Sequence, residues 1–255
     1  MYDMPEEIEV SADGPLRIIT LNRPADLNAV NESLHTGLAL LWPRLSADRD
    51  ARAAVLTGRG KAFSAGGDFA YLDELRRDAE LRARTLAYGR DLVLGMARCR
   101  VPVVAAVNGP AVGLGCSLAA LSDIVFMAES AYLADPHVQV GLVAADGGPL
   151  TWPLHTSLLV AKEYALTGAR IPAARAVELG LANHVVADPV AEAVACAKRM
   201  VELPRQAVES TKRLLNLHLE RAVLATLDFA MTAEEQSFQT DDFRVTIERL
   251  TEGKR

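Results

Sequence analysis

The chain has 255 residues, half of them hydrophobic, and its 27 Lys and Arg against 33 Asp and Glu give a net charge of −6. This length and apolar content allow a substantial core in one large domain or two small ones. The acidic balance and the lack of a long basic run exclude a nucleic-acid surface as the main function. The most apolar stretch, 101–121, is broken by Pro and Gly and residues 1–9 lack an apolar core, so we expect neither a membrane span nor a signal peptide.

Cysteine and histidine usage argues against disulfides and metal ligation. The cysteines are odd in number and lie in apolar surroundings, which favours reduced thiols and a cytoplasmic location. They are Cys99, Cys116 and Cys196. The five histidines have no spacing that would place metal ligands on one helix face. We therefore predict no metal site.

The first half of the chain predicts a hairpin followed by helices and one further strand. Two β-prone runs flank the turn residues 11–15, which is typical of a hairpin. Asn31 can cap a helix whose leucines recur at helical spacing. The predicted elements are strands at 8–10 and 16–21, a helix from Asn31 to about Leu45, a strand at 52–57, a glycine-rich turn at 58–68 and a charged helix at about 72–98.

The segment 101–127 is the one that points to a ligand. It predicts a strand at 103–107, a Gly/Pro-rich turn at 108–115, a short apolar helix at 116–121 and a strand at 124–127. Two strands thus end in glycine-rich loops, and open α/β sheets bind ligands at the carboxyl ends of their strands. The short helix offers unpaired N–H groups at its positive end, where a developing negative charge can be held.

The remainder of the chain is predicted to become helical after a few short elements. These are a strand at 131–134, a glycine-rich loop at 141–149, helices at 161–167 and 173–179, a strand at 183–186, and helices at 189–202, 205–219, 221–239 and 241–252. We therefore expect an α/β core over 1–190 and a C-terminal helical region over 191–255 that packs on the core or on a neighbouring subunit.

Four segments, in order and with matching separation, resemble the enoyl-CoA hydratase/isomerase, or crotonase, superfamily. They are LNRPADLNAV (21–30), GKAFSAGGD (60–68), AAVNGPAVGLGCSLA (105–119) and LTGARIPAARAVELGL (166–181). The resemblance implies a crotonase-like spiral of ββα units with a C-terminal helical region for oligomerisation. It also implies a substrate carried as a coenzyme A thioester, no other bound cofactor, and a homotrimer or dimer of trimers.

The same resemblance assigns roles to residues of this sequence. Two backbone N–H groups of the family bind the thioester oxygen as an enolate forms, and motif matching gives them to Ala65 and Leu114. Gly66 and Gly113 stand beside them and let a ligand approach the backbone. The positions that match contacts to the nucleotide and pantetheine of coenzyme A are Arg23, Ala25, Leu27, Lys61 and Phe63.

The sequence departs from the family where its hydratases carry two glutamates, because Ser117 and His137 stand there. Hydration by paired acids is therefore not implied. His137 and Asp146 remain, nine residues apart (146 − 137), in turns expected to face one pocket. We hypothesise that the Asp146 carboxylate fixes the imidazole tautomer while the other ring nitrogen moves protons. Alternatively, His137 and Asp146 could each only stabilise the turn in which it lies.

Three functions stay open on these grounds. The first is an acyl-CoA enzyme that stabilises a thioester enolate, a lyase or an isomerase. The second is a β-dicarbonyl (retro-Claisen) hydrolase that uses His137 and Asp146, whose spacing is similar to that in a superfamily member acting on a cyclic diketone. The third is a non-catalytic acyl-CoA-binding homologue. A coenzyme A requirement separates the first two.

Overall fold

The computed structural model describes residues 2–252, and these form an α/β structure. The strands are β1 (Ile8–Asp13), β2 (Leu16–Leu21), β3 (Ala53–Gly58), β4 (Val103–Val107), β5 (Ala111–Val112), β6 (Ile124–Ala128), β7 (Tyr132–Ala134), β8 (Ile171–Pro172) and β9 (His184–Val186). The α-helices are α1 (Glu32–Ala47), α2 (Phe69–Arg77), α3 (Ala79–Arg98), α4 (Leu114–Ala120), α5 (His137–Val140), α6 (Gly148–His155), α7 (Leu158–Thr167), α8 (Ala173–Glu178), α9 (Pro189–Glu202), α10 (Arg205–Ser237) and α11 (Asp241–Glu252).

The larger sheet has the strand order β1-β2-β3-β4-β6-β9, and β5-β7-β8 form a smaller one. β1 and β2 form the predicted antiparallel hairpin, while β2, β3, β4, β6 and β9 pair in parallel. Every residue of β3 and β4 is buried, as expected for parallel strands covered on both faces. The parallel register brings the ends of β3 and β4 to one edge, where their glycine-rich loops follow.

Side chains alternate between two apolar layers on the larger sheet. Val55 of β3 and Val104 of β4 belong to a cluster that α9 covers. Leu56 and Ala105, one residue further along each strand, belong to the main cluster on the opposite face. Helices α1 and α3 pack together on that main cluster. The sheet therefore holds its loop-bearing edge between two packed layers.

Two predicted helix boundaries are wrong. The helix predicted over 72–98 is divided at Asp78, because the Asp78 carboxylate accepts hydrogen bonds from the N–H groups of Glu80 and Leu81 and so caps α3. The predicted break near residue 220 is absent, since α10 runs unbroken through it. Glu220 is buried there and accepts hydrogen bonds from Arg98 and Arg213, both at 2.7 Å.

The C-terminal helices are attached to the core through polar and apolar contacts. Lys212 of α10 is buried and donates to the carbonyl of Val101 at 2.8 Å and to Asp123 Oδ2 at 2.7 Å. Phe243 and Ile247 of α11 are fully buried in a third cluster. The domain boundary at 190/191 stays a prediction, and residues 1 and 253–255 of the two predicted regions lie outside the described residues. No helix within 2–252 is long and apolar enough to cross a membrane.

Candidate active site

The loop after β2 is tied to the loop after β3 by Asn28. The Asn28 side-chain amide donates to the carbonyls of Arg59 (3.0 Å) and Ala62 (2.8 Å), and Ser64 Oγ donates to the carbonyl of Asn28 (2.8 Å). Leu27 and Asn28 both adopt left-handed φ angles of 53° and 56°. This turn of the chain directs the Leu27 carbonyl toward the glycine-rich loop.

The loop after β3 is joined in turn to the loop after β4. The N–H groups of Phe63 and Ser64 both donate to the carbonyl of Pro110 at 3.1 Å, and Val112 N–H donates to Ser64 O at 2.9 Å. A Cβ atom on Gly115 would lie only 2.7 Å from Ser64 Cβ, so this contact requires glycine. The two strand exits thus meet, as the sequence predicted.

A cavity of about 420 Å³ lies where these loops meet. Six of the predicted site residues line it: Ala65, Gly66, Gly113, Leu114, His137 and Asp146. Apolar side chains from several helices and from the turns that follow them line the rest, among them Leu72, Leu75, Val140, Leu142 and Phe238. The cavity therefore combines a backbone-rich end with space for an apolar chain.

The backbone donors differ from the prediction at one position. The N–H of Ala65 already donates to the carbonyl of Leu27 at 3.0 Å, so Ala65 is not a free donor. Gly67, two residues on, also lines the cavity, and its N–H has no acceptor within residues 2–252. The N–H of Leu114, at the first position of α4, is unpaired among the same residues. The available pair of donors is Gly67 and Leu114.

His137 pairs with a carboxylate that sequence reasoning missed. Its Nδ1 is hydrogen-bonded to Asp135 Oδ1, and Asp135 Oδ2 also accepts from the N–H of Gly148 at 2.9 Å. The hypothesis that Asp146 fixes the imidazole is therefore wrong. Asp146 instead accepts from Ser117 Oγ at 3.2 Å. The signal for Asp135 was present, since an acid two residues before a histidine at a strand end can reach its ring.

The imidazole of His137 lies beside both glycine loops. A Cβ atom placed on Gly113 would lie 3.5 Å from His137 Cε1 and 3.6 Å from Gly66 Cα. Gly113 itself has a φ of 52°, a left-handed value that favours glycine. One small region of the cavity thus contains the imidazole and the two loops that carry the free N–H groups.

The predicted coenzyme A contacts lie outside the cavity lining. Arg23 is held by Asp26 at 2.8 Å and by Asp68 at 3.4 Å. Ala25, Leu27 and Lys61 are exposed, so they are accessible to a ligand. The ring of Phe63 is fully buried in the core, which leaves no face of it for a ligand.

A model of the enoyl-CoA hydratase/isomerase family matches residues 13–255 of the chain. The chain belongs to the enoyl-CoA hydratase/isomerase family. The crystal structure of an enoyl-CoA hydratase/isomerase from Mycobacterium paratuberculosis is similar over 97% of this chain and 100% of that one, with 75% identity and a TM-score of 0.97. One from Xanthobacter autotrophicus Py2 has 29% identity and a TM-score of 0.88 over 96% and 93% of the two chains.

A curated relative agrees with these structures. A probable enoyl-CoA hydratase of Mycobacterium tuberculosis is 33% identical over 252 residues, which cover 95% of this chain and 96% of that protein. The resemblance and the crotonase-like α/β fold predicted from the sequence are thus confirmed. The protein is an acyl-CoA enzyme of this family.

Carboxylates near His137 keep its imidazole protonated and positively charged. Burial lowers the pKa of His137, but the charge and hydrogen bond of Asp135, followed by the charges of Asp146 and Glu234, raise it to about 10. Burial raises the pKa of Asp135, yet the charge and hydrogen bond of His137 and the N–H of Gly148 bring it below its ordinary value. An imidazolium and a carboxylate therefore face each other at neutral pH.

Two further carboxyl groups line the cavity, and one of them was not predicted. Burial raises the pKa of Asp146. The charge of His137 and the hydrogen bond from Ser117 lower this pKa and so offset part of the increase. Glu234 of α10 also lines the cavity, and burial followed by the charge of Asp146 raises its pKa to about 8. No local motif marks Glu234, because only the packing of α10 brings it here. Among residues 2–252, no group of His, Cys, Asp or Glu is arranged to hold a metal.

Replacing Asp135 by Asn should lower the pKa of His137 well below its wild-type value of about 10. The largest favourable charge and its hydrogen bond are removed, while the burial that lowers the pKa and the weaker effects of Asp146 and Glu234 remain. The stability that His137 gains from its raised pKa is fully present below pH 6.5, is still largely present at neutral pH, and is lost as pH rises through about 10. The variant should therefore unfold at lower denaturant concentration at neutral pH. Histidine NMR titration checks the pKa, with the neutral buried His35 as an internal control.

An unchanged titration of His137 in this variant would contradict the assignment. The pKa of His35 is lowered by burial to about 4 in the wild-type protein. It should not respond to the loss of Asp135, because no charged group contributes to its shift.

Proposed function

We propose that this protein forms and stabilises the enolate of an acyl-CoA thioester. The N–H groups of Gly67 and Leu114 donate to the thioester oxygen, and Asp146 removes a proton from the α-carbon. One observation carries this proposal: two unpaired backbone N–H groups line the same cavity as a carboxylate. Preorganised donors of this kind stabilise a developing oxyanion by about 3 to 4 kcal/mol each.

The proton balance of this step involves only groups of this chain and the substrate. The α-proton passes to the Asp146 carboxylate, and the C–H electron pair moves toward the thioester carbonyl, which becomes the oxyanion. The His137 imidazolium favours the ionised form of Asp146, as its contribution to the pKa of Asp146 indicates. The hydroxyl of Ser117 orients the same carboxylate from 3.2 Å.

Hydration by paired glutamates is not the reaction that these residues favour. Ser117 and His137 stand at the family's two glutamate positions, and the ion pair with Asp135 keeps His137 protonated. The same raised pKa disfavours the dicarbonyl hydrolase, because that route needs a neutral imidazole as a base. A reaction that begins with proton removal, as in an isomerase or a lyase, remains.

The substrate carrier and the assembly are part of the same proposal. Coenzyme A would extend from the cavity over the exposed edge that carries Arg23, Ala25, Leu27 and Lys61. Lys61 supplies positive charge for phosphates there, and Arg23 would do so only by exchanging its contacts with Asp26 and Asp68. A homotrimer or dimer of trimers is supported by exposed large apolar side chains on α7 and α10, which are Leu158, Leu159, Leu166, Leu214, Leu215, Leu224 and Phe229.

The experiment follows exchange of the α-protons of hexanoyl-CoA in D2O. We expect the wild-type protein to catalyse deuterium incorporation at the α-carbon, because enolate formation and its reversal need no further reactant. Hexanoate without coenzyme A should not exchange. Tight binding of hexanoyl-CoA without exchange would overturn the proposal in favour of the non-catalytic homologue. Hydrolysis of 1,3-cyclohexanedione without hexanoyl-CoA exchange would overturn it in favour of the dicarbonyl hydrolase.

A further inference from the structure

One face of α10 forms a wall of the cavity. Met231, Glu234 and Phe238 all line it, and their spacing of three and four residues places them on the same side of the helix. The helix packs on α3 and α6. Lys212, on an earlier turn, fixes it to the core through Asp123. Glu234 is therefore held at the cavity by a helix that is firmly attached.

The loop that carries Asp146 is joined to the turn of α10 that carries Glu234. The N–H of Val143 donates to Ser237 Oγ at 3.2 Å, and Ser237 Oγ donates to the carbonyl of Glu234 at 2.7 Å. Leu142 and Phe238, beside these groups, are buried in one cluster. These contacts hold the loop that carries Asp146 against the end of α10, so the carboxyl groups of Asp146 and Glu234 enter the cavity from two different elements.

The carboxyl group of Glu234 differs from its neighbours in having no partner. Within residues 2–252 it forms no hydrogen bond or ion pair, whereas Asp135 and Asp146 are both hydrogen-bonded. The other charged or titratable groups that line the cavity come from α1, α2, α3, α5, α11 and the loop before α6, and are His35, Tyr71, Arg82, His137, Arg249 and Asp146. A carboxylate without a hydrogen-bond partner, in a cavity lined mainly by apolar side chains, is unfavourable. The protonated form of Glu234 is therefore favoured, and its pKa of about 8 agrees.

We propose that Glu234 is a second catalytic group, a general acid that delivers a proton to the enolate carbon chain after Asp146 has removed one. The inference rests on the proposed function. For a 3-enoyl thioester, the C2 proton passes to Asp146 and a dienolate forms. The Glu234 proton then bonds to C4, the C3=C4 electrons form that bond, and the C2=C3 double bond results. Asp146 ends protonated and Glu234 ionised, and one proton returned from Asp146 to Glu234 restores both.

In this arrangement the two carboxyl groups have different roles: Asp146 removes a proton from the α-carbon and Glu234 delivers one to C4. Asp146 alone is enough for α-proton exchange, which returns a proton to the carbon that lost it. Delivery of a proton to a different carbon needs a second acid in another position. Glu234 meets this requirement because it comes from α10, while Asp146 lies in the loop before α6.

The test compares Glu234→Gln with Glu235→Gln, an exposed neighbour on the same helix. The two probes are 3-hexenoyl-CoA, followed by the rise of conjugated thioester absorbance, and hexanoyl-CoA, followed by deuterium exchange. We expect Glu234→Gln to lose at least about tenfold more of the isomerisation than of the exchange. Wild-type kcat/KM for isomerisation should fall as pH rises through about 8. The Glu234→Gln variant should not show this decrease. Glu235→Gln should match the wild type.

Any other result would contradict either the role of Glu234 or the proposed function. Isomerisation and a pH profile left unchanged in Glu234→Gln would overturn the role of Glu234. Exchange by the wild type without isomerisation would also overturn it, while the proposed function would stand. Absence of exchange in the wild type would overturn the proposed function, and this inference with it. Circular dichroism and thermal unfolding of both variants exclude misfolding as the cause of a loss.

Discussion

Leu114→Pro should slow α-proton exchange of hexanoyl-CoA by about 100- to 1,000-fold, the loss that follows removal of one oxyanion donor. Leu114 is the first residue of α4, and its N–H has no acceptor within residues 2–252. Proline lacks this N–H, and its fixed φ suits the first position of a helix. The substitution should therefore remove the donor and leave the helix intact. Deuterium incorporation measured by mass spectrometry checks the rate.

Leu114→Ala is the matched control, because it shortens the same buried side chain and keeps the N–H. It should retain most of the exchange activity. Thermal unfolding of both variants shows whether either one disturbs the fold. Equal exchange rates in Leu114→Pro and Leu114→Ala would mean that the Leu114 N–H does not bind the thioester oxygen.

Asp146→Asn should slow the same exchange by about 100- to 10,000-fold, the range attributed to a positioned general base. The amide has the shape of the carboxylate but cannot accept the α-proton. His137 keeps its partner, because its hydrogen bond goes to Asp135. The measurement is again deuterium incorporation into hexanoyl-CoA, over a range of pH. Asp91→Asn, at an exposed position of α3, is the control and should exchange like the wild type.

The pH dependence of isomerisation adds a second readout for Asp146→Asn. The charge of Asp146 is one of the causes that raise the pKa of Glu234 to about 8. Its removal should lower that pKa, and the remaining isomerisation should lose activity at lower pH than in the wild type. Wild-type exchange rates in Asp146→Asn would show that another group removes the proton.

Short-range chemistry made the loops and their location predictable. The glycine-rich turns follow buried strands directly in the chain, so the meeting of residues 58–67 and 108–113 at one sheet edge follows from parallel pairing. The first N–H groups of a helix are unpaired, which predicted donors at the start of the short helix, but only motif matching with the family named Leu114, where the helix begins. The same local signals did not show that Asp78 divides a helix or that Glu220 lies within one.

Packing decided which groups of these loops are available for chemistry. The left-handed turn at Leu27 and Asn28 directs a carbonyl onto the Ala65 N–H, so the free donor is Gly67. The Asp135 carboxylate is hydrogen-bonded to His137 and to the N–H of Gly148. Asp146 is hydrogen-bonded to Ser117 instead.

Glu234 reaches the cavity only because α10 is an unbroken helix held against α3 and α6. Motifs of neighbouring residues therefore indicated the family and the oxyanion region. The acid–base groups depended on contacts between residues far apart in the chain, which no local pattern encodes.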